Sequence, residues 1–149
     1  MRVGASRLED RLGPLEPAYR SRGEAQVGRL LDRYGIDFFY EQPLVVLDRG
    51  RYRIWRPDFT LPHYGGLVVE YAGMPDVPDY AQGIQHKKEV YRANGQPAVF
   101  VYPADLQGPQ WPATVMGQIR RAYRDGRQSF LSYGRRSALP DPVIYPAER

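Results

Sequence analysis

Asp58 and Glu70 are the residues whose placement asks for chemistry. They stand in the stretch PDFTLPHYGGLVVEYA, residues 57–72, near the ends of two apolar runs joined by a turn-rich segment with a proline and two glycines. A turn centred on Tyr64 sets Asp58 directly opposite Glu70 on neighbouring strands, with Cβ atoms roughly 4.5–5.5 Å apart. Two like charges so placed destabilise each other unless one is protonated or a cation sits with them. The alternative is that both acids emerge at a sheet rim and pair with arginines such as Arg53 or Arg56.

The period of two puts Val68, Glu70 and Ala72 on one face of their strand and Leu67, Val69 and Tyr71 on the other. Glu70 therefore points to a face otherwise built for packing. Glu24 is a third acid of interest. It stands three residues after Ser21 in S-R-G-E, a capping-box pattern, so it either completes the cap or delivers a carboxylate to the same rim.

The positive charge is unusually distributed. The only two lysines are adjacent, Lys87 and Lys88, in a chain otherwise rich in arginine. An ammonium is a compact charge with a tunable pKa, which a guanidinium is not. On a helix starting near Tyr80, residues Ala81, Ile84, Lys88 and Tyr91 share one apolar face, which directs Lys88 inward and leaves Lys87 at the edge of the stripe.

The elements that must position these groups follow from periodicity and punctuation. Val27, Leu30, Leu31 and Tyr34 recur at helical spacing between Ser21 and Gly35. Residues 38–47, 52–61 and 67–71 read as three strands, the first two joined by the turn D-R-G at 48–50. Asp79 is the expected N-cap of a helix to Ala93, stopped by Asn94-Gly95. Residues 97–102 read as a fourth strand and 113–125 as an amphipathic helix, and VIY at 143–145 has the composition of an edge strand. The order αβββαβα predicts an α/β fold, a mixed sheet of about four to five strands flanked by helices. An arm (1–20), one domain (21–133) and a C-terminal extension (134–149) complete the expected organisation.

With 149 residues the chain suffices for one domain with a real core. The absence of cysteine excludes disulfides, Cys-ligated zinc and thiol catalysis. A net charge of +4 is compatible with a polyanionic partner. No apolar run approaches a membrane span and no signal-peptide pattern opens the chain, so an intracellular, cytoplasmic location is the expectation. His63 and His86 lack metal-ligand or His-nuclease spacing and read as structural or phosphate-contacting.

Taken together, Glu24, Pro57-Asp58, Glu70-Tyr71-Ala72-Gly73 and a helical lysine resemble the pattern of the PD-(D/E)XK (restriction-endonuclease-like) nuclease superfamily, over roughly residues 21–125. The run RPDFTLPHYGGLVVEYAG followed by DY…KKEVYRANG is similar to small very-short-patch-repair-like and helicase-associated endonuclease domains. The family's signature lysine falls at Ala72, and Lys88 best matches the position of a lysine migrated to the following helix, with Lys87 in reserve. Gln85 is a further candidate for polarising a water or touching a phosphate.

The resemblance implies Mg²⁺- or Mn²⁺-dependent hydrolysis of DNA phosphodiesters. Asp58, Glu70 and the backbone carbonyl of Tyr71 would hold the metal, and Glu24 a second metal or a metal-bound water. Arg51, Arg53, Arg56, Arg120 and Arg121 would hold the DNA backbone. DNA is the implied partner, with a homodimer or a larger repair, restriction or mobile-element assembly left open. Ala72 keeps a second reading alive, a catalytically inactive nucleic-acid-binding or protein-interaction module on the same fold.

Overall fold

The computed structural model describes residues 16–136. Helix α1 (Arg22–Arg33) begins at Ser21, whose Oγ accepts from the Glu24 backbone N–H at 3.1 Å. It buries Val27, Leu30 and Leu31. The strands β1 (Phe39–Tyr40), β2 (Leu44–Asp48), β3 (Arg51–Trp55), β4 (Phe59–Leu61) and β5 (Leu67–Tyr71) follow. Helix α2 (Pro78–Ala93), strand β6 (Ala98–Val101) and helix α3 (Trp111–Arg136) complete the chain. Short 3-10 turns lie at Pro62–Tyr64 and Pro103–Leu106.

The architecture is mixed α/β, with three helices, a mixed four-stranded sheet of order β1-β4-β5-β6 and a two-stranded sheet β2-β3. β4 and β5 are antiparallel, whereas α2 carries the chain across to a parallel β6. The central strand β5 is covered on both sides, which is why it reads as a nearly unbroken apolar run. Val69, Phe59 and Leu61 pack with α1 and with Val115, Met116 and Ile119 of α3. Val68 packs on the opposite face with Val46, Val90 and Tyr91. The sheet thus separates α1 and α3 from α2.

Two expected strands are each broken in the middle. Residues 38–47 divide into β1 and β2, and 52–61 into β3 and β4. The breaks face each other at Glu41–Pro43 and Arg56–Asp58. Pro43 and Pro57 have no N–H to give a ladder, and Glu41 adopts a left-handed φ of 54°. The pairing register is nevertheless the same on both sides, from Phe39↔Thr60 to Asp48↔Arg51, and the Glu41 N–H bonds the Asp58 carbonyl at 3.1 Å within the gap. Side-chain alternation does reset there. Tyr40 packs on the α1 side, but Leu44 and Val46 pack on the α2 side. The β2-β3 tip is a two-residue turn with positive φ at Arg49 and Gly50, the geometry that suits a twisted hairpin.

Other boundaries also moved. Helix α2 starts at Pro78 with Val77 as N-cap and no side-chain cap, so Asp79 lies in the first turn rather than capping it. Proline is favoured there because its missing N–H has no helical partner to lose. Helix α3 is longer than the expected 113–125. The arm up to residue 15, and the edge strand expected at 143–145, lie outside the described residues. Among the described residues no helix is long and apolar enough to cross a membrane.

Candidate active site

The β4-β5 hairpin has the register that a turn centred on Tyr64 requires, with Phe59 opposite Val69 and Leu61 opposite Leu67. Continued one step past β4, that register brings Asp58 to Glu70. The Asp58 Oδ2 accepts from the Tyr71 N–H at 2.7 Å. This bond ties the aspartate to the strand that carries the glutamate. Glu70 is only 3 % exposed. Its Oε1 accepts from the Tyr91 hydroxyl at 2.6 Å and its Oε2 from the Lys87 ammonium at 3.2 Å.

The electrostatics follow from this crowding. Burial raises the Asp58 carboxyl to about 7, helped by the negative charges of Glu70 and Glu24 and opposed by the Tyr71 N–H and Lys87. Burial and then the adjacent Glu70 carboxylate push the Tyr91 hydroxyl well above its usual range, so it remains a donor.

Glu24 does not close the capping box on the Ser21 N–H. Ser21 caps the Glu24 N–H, but the Glu24 Oε2 accepts from the Arg20 N–H at 3.0 Å and the Tyr40 hydroxyl at 2.6 Å. It is 8 % exposed and close enough to act on Asp58. Gly23 makes this approach feasible, because a Cβ at that position would overlap the Tyr71 ring.

The lysines are assigned the other way round from the expectation. Lys87 reaches Glu70, and Lys88 rests 5.3 Å from the ring centroids of both Phe100 and Tyr102. The reason lies in α2. Val90 and Tyr91 are both buried with Ile84, so the stripe facing the sheet passes through position 87, three residues from Ile84 and four from Tyr91. Gln85 is exposed two residues before Lys87, a spacing that points it away from the site.

The rim pairing with arginines is also replaced. Arg53 lies 3.6 Å from Asp48, and Arg56 donates to the Glu41 carbonyl at 3.3 Å. Arg51 is exposed on β3, and Arg120 and Arg121 are exposed on α3, across the sheet from α2. Ala72 is buried on the β5 end and donates its N–H to the Val101 carbonyl at 2.8 Å.

Two groups were missed from the sequence. One is Tyr91, which the helical period marks only as a member of the apolar face. The other is the buried Asp48, whose Oδ2 lies 3.0 Å from His86 Nε2 and whose carboxyl is held low by that hydrogen bond. The pair joins the β2-β3 arm to α2, a structural role for His86. His63 lies 3.1 Å from Asp37 on the surface.

Among the described residues no group of three or more His, Asp or Glu side chains converges on one point that could hold a metal. The hard-oxygen groups here are the two carboxylates of Asp58 and Glu70 and the Tyr71 carbonyl, which accepts from the Tyr80 hydroxyl at 3.4 Å. All are hard oxygens, and a carboxylate with one bond per oxygen keeps lone pairs to give. Few protein ligands and several waters is the habit of Mg²⁺. The residues present fit such an ion.

Comparison with protein-family models, curated proteins and solved structures returns no match.

Proposed function

We propose that this chain is a divalent-metal-dependent endodeoxyribonuclease with a PD-(D/E)XK-type core. The observation that carries the reading is the cluster of Asp58, Glu70 and Lys87: a buried glutamate on β5, a half-buried aspartate immediately before β4 bonded to the same strand, and a half-exposed ammonium 3.2 Å from the glutamate. Burying two acids side by side destabilises a fold, and Asp58 bears that cost as a raised pKa. Such an arrangement is characteristic of functional sites rather than of packing.

Mg²⁺ or Mn²⁺ held by Asp58, Glu70 and the Tyr71 carbonyl would supply Lewis acidity toward a phosphate oxygen and a lowered pKa for a bound water. The chain's own groups have distinct tasks around it. Tyr91 fixes one oxygen of Glu70 and leaves the carboxylate a single orientation. Lys87 holds the other oxygen in the resting state and is the ammonium that would orient the attacking water and offset charge on the phosphorane. Glu24, fixed by Tyr40 and the Arg20 N–H, adds negative potential near Asp58 and is the candidate partner for a second metal or a metal-bound water. The exposed Arg51 lies on the side of the structure where a phosphate backbone would contribute salt-sensitive contacts.

The alternative of an inactive module drew its support from Ala72. Lys87, 3.2 Å from Glu70, weighs against that alternative, because it offers an ammonium from α2 where Ala72 has none. The deciding experiment is cleavage of plasmid, single-stranded and four-way-junction DNA with Mg²⁺, Mn²⁺ or EDTA. Metal-dependent cleavage lost in both Asp58→Asn and Glu70→Gln is expected. Undiminished cutting by either variant would sink the reading.

A further inference from the structure

Next to the carboxylates, on the far side of Tyr91, lies a cavity of about 440 Å³ that the proposed chemistry does not use. It is lined by Lys88, Tyr91, Arg92, Gln96, Ala98, Phe100 and Tyr102. Its size falls in the range of small-ligand sites. The chemistry of its wall is one-sided. Two cations line it and no carboxylate does. Among the described residues neither Lys88 nor Arg92 has an ion-pair partner, and Lys88 instead lies 5.3 Å from the centroids of the Phe100 and Tyr102 rings.

The position of this cavity is set by the topology. Phe100 on β6 pairs with Glu70 on β5, so the aromatic wall stands one strand beyond the glutamate, about 4.8 Å away in the pairing direction. Tyr91 belongs to both, donating to Glu70 and packing 6.1 Å from the Phe100 ring. Adjacent lysines serve the two compartments, Lys87 the carboxylates and Lys88 the aromatic pocket. Among the described residues β6 is an edge strand, which leaves the pocket mouth open beside the site.

We infer that this pocket receives an unpaired nucleotide of the strand being cut, with its base against Tyr102 and Phe100 and its phosphate held by Lys88 and Arg92. Aromatic faces accept any base by stacking, and a lysine parked on those faces can exchange them for a phosphate oxygen when the base arrives. A paired base is too wide and already stacked, so the pocket selects for single-stranded or frayed DNA. The inference rests on the nuclease reading only in having a strand pass the carboxylates.

The test is anisotropy of a fluorescein-labelled dT12 and of a blunt duplex of the same length, both in EDTA so that no cleavage intervenes. Lys88→Gln and Tyr102→Leu are each expected to weaken dT12 binding about tenfold, with the duplex changed less than twofold. Lys88→Gln should also reduce the salt slope on dT12 by about 0.7. Tyr102→Leu retains bulk and loses stacking, and its melting temperature reports folding separately. Free dTMP competing with dT12 at low millimolar concentration would still support the pocket, as a site for the nucleotide unit itself. Unchanged dT12 affinity in both variants, equal losses on the duplex, or no dT12 binding by the wild type would overturn it. A wild type that never cleaves with Mg²⁺ or Mn²⁺ yet shows this dT12 pattern keeps the pocket and loses only the nuclease.

Discussion

The Tyr91 hydroxyl sits 2.6 Å from the Oε1 of Glu70, and both groups are almost wholly out of solvent. A charge-assisted bond of this kind is worth more than a neutral one. Tyr91→Phe keeps the ring that packs on Trp55 and Phe100 and removes only the donor. The expected loss is about 1.5–3 kcal/mol of stability at neutral pH. Urea unfolding at pH 7.5 measures it, and a loss under about 0.5 kcal/mol would mean the bond is idle.

Lys87 and not Lys88 should govern the chemical step. Lys87→Met is expected to lower kcat by about 10²–10⁴-fold, the range for a positioned proton-handling group. The effect should exceed that of Lys88→Met by at least tenfold, and Gln85→Ala should leave kcat as it is. Single-turnover cleavage at saturating DNA separates these effects, and equal losses for the two lysines would refute the assignment.

Asp58 makes stability depend on pH with a definite sign. Its carboxyl titrates near 3.8 when unfolded and at about 7 when folded. Between those values the folded state holds a proton that the unfolded state has lost, so stability falls as pH rises through the window. The effect is at most about 4 kcal/mol at 1.36 kcal/mol per unit. Asp58→Asn should flatten the curve and be the more stable form at pH 8. Parallel curves for the two proteins from pH 4 to 8 would contradict the burial argument.

The same linkage predicts how metal acts. Proton and cation compete for Asp58, so Mn²⁺ should raise the melting temperature of the wild type more at pH 8 than at pH 6. Differential scanning fluorimetry with and without EDTA reads this directly. Asp58→Asn should lose most of the shift at both pH values.

Gly23→Ala sets two effects against each other. Alanine gains up to about 1 kcal/mol in helix propensity, but its Cβ would overlap the Tyr71 ring. Overpacking of this kind costs about 1–3 kcal/mol, so net destabilisation is expected. In a Tyr71→Ala background the ring is gone and the same substitution should turn neutral or stabilising. A double-mutant cycle by urea denaturation tests the reversal.

What could be read from residues alone was local. Tyr64 and the glycines fixed the β4-β5 turn, and with it the opposition of Asp58 and Glu70. Val27, Leu30 and Leu31 announced α1. The broken strands were less legible, since FFYEQPLVVL has strand composition throughout and the left-handed turn at Glu41 leaves no mark beyond a nearby proline. Lys87 was misjudged because a stripe through Ala81 and Lys88 fits the helical period nearly as well as the true one. Only the joint burial of Val90 and Tyr91 decides between them, and burial is set by the sheet beneath.

The break at Glu41–Pro43 and Arg56–Asp58 separates the β2-β3 arm from the β1-β4 ladder, while Val46, Asp48 and the Leu47 backbone fasten the arm to α2. Register is retained across it, so the arm can grow or shrink at Arg49-Gly50 by matched pairs of residues without shifting Asp58. A single inserted residue would instead turn its faces over. The length of the arm is thus decoupled from the geometry of the hairpin that carries Asp58 and Glu70.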